Sequence, residues 1–107
     1  MKTYNIKDMK HGWFIGNFEP SMLKTDQFEV GHHFWKEGTS PVLHKHNVLT
    51  EYNYIVKGCV RIPGDQLLYA GSMFVFEPGD VSDISFMTDT ELIVIKVPSI
   101  PNDKEII

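Results

Sequence analysis

Apolar residues in this chain come in short runs, and no stretch keeps the three-to-four-residue spacing of an amphipathic helix. β-Branched and aromatic residues gather in Trp13–Phe18, Phe28–Trp35, Val42–His46, Glu51–Lys57, Val60–Pro63, Gln66–Tyr69, Met73–Glu77, Asp83–Met87 and Glu91–Val97, and each cluster predicts a strand. Between them lie Lys36-Glu37-Gly38, Pro63-Gly64-Asp65, Ala70-Gly71, Pro78-Gly79-Asp80 and Thr88-Asp89-Thr90, residues that favour turns. Only Pro20–Thr25 suggests a helical turn. So many short strands predict a single all-β domain over residues 1–107, with its edges protected by closure into a barrel or by sheet packing. The barrel is expected over about residues 13–98, and the tail 98–107, with Pro101, Asn102 and Asp103, is expected to leave it as an irregular end.

Composition narrows the partners. A net charge of -4 with no Lys/Arg stripe argues against nucleic acid. The longest apolar run, Leu92-Ile93-Val94-Ile95, is far too short to span a membrane, and Met1–Asn5 lacks the apolar segment of a secretory signal. Cys59 is the one cysteine, which rules out an intrachain disulfide and predicts a small buried side chain. A cytoplasmic protein with a small-molecule ligand is the expectation.

The chemistry concentrates between Gly38 and Gly58. His44 and His46 are two apart on a predicted strand, so both imidazoles face the same side and Lys45 faces away. Glu51 starts the next strand and can return a carboxylate to the same place across a turn. Two imidazoles and one carboxylate suit Fe(II), and equally Mn, Ni or Zn.

Gly38, His44, His46, Glu51 and Gly58 match, without gap or substitution, the first motif of the cupin superfamily, which this sequence resembles. The resemblance implies a double-stranded β-helix, or jelly-roll barrel, with His44, His46 and Glu51 as ligands of a divalent metal ion. It also implies a homodimer. The second cupin motif is matched at Gly71 and Gly79, with Glu77 where a proline is usual and Ser82 at the position of the usual fourth ligand, a histidine. A hydroxyl is a poor replacement, so the four-ligand site does not transfer; Asp83 or Asp80 are candidate oxygen ligands in its place. The segments Trp13–Pro20, Phe76–Gly79 and Glu91–Ser99 further resemble small stand-alone bacterial and phage cupins without a settled activity.

Further candidates for the pocket are Glu77, one of the adjacent pair His32 and His33, and Tyr54, with Tyr52 and Tyr69 as other tyrosines near a histidine. Three function classes follow. The first is a metal-dependent enzyme of oxygenase, isomerase or lyase type, acting on a small polar substrate such as a sugar or small acid. The second is a metal-free sugar epimerase or isomerase with a histidine base and a tyrosine acid. The third is a ligand-binding module without turnover.

Overall fold

The protein is described by a computed structural model covering residues 1–107. It is built from twelve strands and one short 3-10 turn at Ile6–Asp8. The strands are β1 (Trp13–Gly16), β2 (Leu23–Lys24), β3 (Glu29–Trp35), β4 (His44–Lys45), β5 (Thr50–Lys57), β6 (Cys59–Ile62), β7 (Gln66–Tyr69), β8 (Met73–Phe76), β9 (Val81–Ser82), β10 (Ser85–Phe86), β11 (Thr90–Val97) and β12 (Glu105–Ile106). Six of them form the main sheet in the order β2-β1-β3-β11-β5-β8, and the rest form two three-stranded sheets, β10-β6-β7 and β12-β4-β9.

Most strands fall where the apolar clusters predict them, but the expected strand at Asp83–Met87 and the expected turn at Pro20–Thr25 differ. Asp83–Met87 shortens to Ser85–Phe86, which pairs with β6, and Val81–Ser82, just before that cluster, forms a separate strand paired with β4. Arg61 holds the junction, reaching Asp83 Oδ1 at 3.0 Å and Ser85 Oγ at 3.0 Å. The helical turn expected at Pro20–Thr25 is absent. Such a short segment cannot repay helix nucleation, and Leu23–Lys24 instead pairs parallel with β1.

Period-two alternation on β11 explains the main sheet. Leu92 and Val94 turn inward and are buried, whereas Ile95 and Val97 turn outward and are exposed. With Ile55, Val60, Phe76, Ile84 and Phe86 they form the hydrophobic core, against which Trp35 stacks on Phe86 at 5.0 Å between ring centroids. Full burial of each such side chain contributes roughly 1.5–3 kcal/mol. Cys59 is buried, as expected of a lone apolar thiol. At the β5–β6 turn Gly58 has φ +108°, and a Cβ there would lie 2.5 Å from Thr90 Oγ1, so only glycine fits.

The tail does not leave the barrel as an irregular end. β12 returns to pair with β4, setting Glu105 opposite Lys45 and Ile106 opposite His44. Just before it, the Asp103 carboxylate accepts the backbone N–H groups of Asn47, Val48 and Leu49 at 2.9–3.0 Å. Burial alone would raise the Asp103 pKa, but the amides of Leu49, Asn47 and Val48, with His46 nearby, outweigh it and hold the carboxyl below its usual range. The turn between His46 and Glu51 is therefore clamped by a residue more than fifty positions away. Asp103→Ala should lower stability by about 2 kcal/mol in urea unfolding at neutral pH, the loss of charge-assisted amide bonds partly replaced by water. An unchanged midpoint would show that the clamp is idle.

Candidate functional site

The inner face of the main sheet carries a row of charge. Lys96 of β11 lies in register with Glu29 on β3 and with Glu51 on β5. Its ammonium is 3.8 Å from Glu29 Oε1 and 4.0 Å from Glu51 Oε1, and the side chains are only 10–19% exposed. Each carboxylate is oriented through its second oxygen: Asn53 Nδ2 donates to Glu51 Oε2 at 3.0 Å, and Ser99 Oγ donates to Glu29 Oε2 at 2.8 Å. The ammonium also stands 4.8 Å from the centroid of the Trp13 ring, a favourable cation–π placement.

Beside this row is a cavity of about 220 Å³, roughly the space of seven waters. Glu51, Asn53, Lys96, His44 and Ser82 form its polar wall, and core residues such as Phe86, Leu92 and Val94 form the apolar one. His44 and Ser82 face each other across the β4–β9 pair, so the first and second motifs meet at this point. His44 Nδ1 is held by the Val42 carbonyl at 2.7 Å. His46 is buried, with its ring edge-on to that of His44 at 5.1 Å. Burial first, and then the Lys96 ammonium, lower its pKa.

Of the residues singled out from sequence, His44, Glu51, Ser82 and His33 line this cavity. The others do not. His32 points to the other face of β3 and pairs with Glu91 Oε2 at 2.7 Å. Tyr54 is 43% exposed on the outer face of β5, as is Tyr52, because period two on that strand turns Glu51 and Asn53 inward. Tyr69 is exposed too, so these tyrosines cannot supply an acid to the cavity. Glu77 is exposed in a turn, its backbone N–H donating to Asp80 Oδ2 at 2.9 Å, and Asp83 is taken by Arg61. Asp80 and Asp83 therefore finish turns and do not replace the missing histidine.

His44, His46 and Glu51 do not fit a metal ion as they stand. No group of three or more His, Cys, Asp or Glu side chains converges with metal-binding geometry. An ammonium stands next to Glu51 Oε1, and an amide donor holds its Oε2. The unforeseen members of the site are Lys96, Glu29, Asn53 and Ser99. Their one signal is a lysine ending an apolar run at the same strand parity as Leu92 and Val94.

His33 completes the inner face. Its ring meets the Trp13 ring edge-on at 4.6 Å, and both lie over Gly31, where a Cβ would come within 2.7 Å of Trp13 and 2.8 Å of His33 Nε2. His33 Nε2 is buried without a hydrogen-bond partner. Burial, aided by the Lys96 ammonium, lowers the His33 pKa to about 4.

Among solved structures the chain resembles an uncharacterised Klebsiella pneumoniae protein with a double-stranded β-helix domain, at 15% identity and TM-score 0.65 over 92% of this chain and 85% of that one. It also resembles a cupin-2 domain protein from Shewanella frigidimarina, at 20% identity and TM-score 0.59 over 68% and 72% of the two chains. A sugar phosphate isomerase of the cupin superfamily from Silicibacter pomeroyi matches at 19% identity and TM-score 0.56, over 66% of this chain and 50% of its own. No protein-family model and no curated protein matches the sequence. The fold is thus the cupin double-stranded β-helix, as the motif resemblance implies. No helix is long and apolar enough to cross a membrane.

The histidines set an acid limb. An unfolded histidine takes up its proton near pH 6.5, but folded His33 resists until about pH 4. In that window the unfolded chain binds more protons, so stability is full above pH 6.5 and declines as pH falls toward 4. The slope from His33 alone is about 1.4 kcal/mol per pH unit at most, and His46 acts in the same direction. Urea unfolding from pH 7.5 to 4.5 should show this decline, and His33→Phe should flatten it at little cost at pH 7.5. An equally steep decline in the variant would assign the limb elsewhere.

Proposed function

We propose that this chain is a small-molecule-binding cupin whose ligand occupies the cavity between His44, Ser82, Glu51 and Lys96. The observation that supports it best is the division of the cavity wall: polar and charged groups converge on one side, and the hydrophobic core closes the other. At about 220 Å³ the cavity suits a compact ligand well below drug size. The polar groups sit on paired strands, so they are placed before the ligand arrives, which limits the entropy lost on binding. The similarly folded Silicibacter protein is a sugar phosphate isomerase, which makes small oxygen-rich compounds a sensible first panel.

A second reading is a divalent-metal enzyme with His44, His46 and Glu51 as ligands. The edge-on contact of the two imidazoles favours it. Against it stand Lys96 and Asn53, which would both have to release Glu51 before a metal could use that carboxylate.

Two measurements test these readings. A thermal-shift screen of small acids, sugars and polyols should yield a saturable rise in Tm with at least one compound class, absent in His44→Ala. A flat screen, repeated by a method sensitive to millimolar affinity, would remove the ligand-binding reading. Plasma mass spectrometry on untagged protein should find metal far below one equivalent. Near-equimolar metal that disappears in His44→Ala/His46→Ala would establish the metalloenzyme instead.

A further inference from the structure

We propose that the Lys96 ammonium is the ligand-binding cation of this cavity, standing in for a metal ion, and that it takes an uncharged ligand through a hydroxyl group shared with Glu51. The inference rests on the cavity being the binding site.

Lys96 is inward-facing, lines the cavity and is only 19% exposed. Its two carboxylate neighbours are at 3.8 and 4.0 Å, beyond direct hydrogen-bond length, so neither accepts from its N–H groups. The carboxylates cannot swing in to close the gap without cost. Asn53 tethers Glu51 through Oε2, and Ser99, itself accepting the Asn17 backbone N–H at 2.9 Å, tethers Glu29. Charge is thus held close without its hydrogen bonds being spent.

A ligand oxygen about 2.8 Å from both Lys96 Nζ and Glu51 Oε1 closes the triangle, given the 4.0 Å between those atoms. The oxygen must accept from the ammonium and donate to the carboxylate. A hydroxyl does both, and a ligand carboxylate cannot donate. The cavity wall carries Lys96 and Lys104 against Glu51, so net charge does not select the ligand; the need for one oxygen both to accept from Lys96 and to donate to Glu51 does. Ser82 and His44 on the same polar wall offer partners for further hydroxyl groups. The ligand class is therefore a small polyol or sugar fragment, bound without a divalent cation.

The test uses protein freed of metal with a chelator and then desalted. Erythritol and D-ribose are titrated against it, with malate as a carboxylate of similar size, and binding is read from the NMR shifts of the Trp13 indole and the Lys96 side chain. Saturable shifts with erythritol or ribose and none with malate are expected. Lys96→Met should weaken binding about tenfold or more, whereas Tyr52→Ala on the outer face should leave it unchanged. If Lys96→Met does not fold, Glu51→Gln is read instead and should weaken binding in the same way. Polyol binding that persists in Lys96→Met, or that requires added Mn²⁺ or Zn²⁺, overturns the role of Lys96 while leaving the cavity as the site. Shifts with malate alone overturn the ligand class. No cavity shift with any probe overturns the binding reading itself.

Discussion

A buried ammonium flanked on both neighbouring strands by carboxylates is a costly thing to build into a sheet. Each charge leaves water at an effective penalty of several kcal/mol, and attraction at about 4 Å returns roughly 4 kcal/mol per pair at the dielectric typical of proteins. The row Glu29–Lys96–Glu51 is therefore not a large source of stability. Its neighbours make it tolerable: Ser99 and Asn53 satisfy the outer oxygens, and the Trp13 ring offers its face to the cation. Burial, and after it the same positive charge, lowers the pKa of His33 and of His46. Remove the ammonium, and two largely buried carboxylates on either side of β11 lose the charge that balances them.

The cavity inherits its shape from segments far apart in the chain. β4 carries His44 and β9 carries Ser82, and their pairing places the two motifs side by side. β12 covers the free edge of β4, and Asp103 fastens the turn leading to Glu51. The Gly79 N–H donates to the His46 carbonyl at 2.8 Å, which ties the second motif's turn to the first motif's strand. The cavity's polar wall is thus positioned mainly by backbone pairing and tail contacts.

Much of this was legible beforehand. Strand positions follow from β-branched runs and turn residues, and spacing points to His44, His46 and Glu51, whereas the serine at position 82 stands out only through the resemblance to the second cupin motif. Parity on β5 also excludes Tyr54 once Glu51 is taken to face inward, since three residues on a strand reverse the face. Other features were out of reach. Glu29 and Lys96 are sixty-seven positions apart in the chain, and only the register of β3 against β11 makes them neighbours. A lysine at the end of an apolar strand reads equally well as a solvated terminus. The fold of Asp103 back onto residues 47–49 left no local pattern to detect, because a carboxylate accepting distant amides has no sequence period.

The charged row has one consequence for how the chain finds its fold. In a sheet, slipping one strand by a single residue turns its whole inner set outward. For hydrophobic strands such a slip is a modest error, since Ile93 and Ile95 could take the places of Leu92 and Val94. With Lys96 present, the slipped strand would leave two acids facing the core beside Val97 or Ile95, with no base between them. The row therefore acts as a proofreading mark across three strands, rejecting near-miss alignments that oil-like packing alone would accept. Its cost to the native state is recovered as a wider gap to the wrong states.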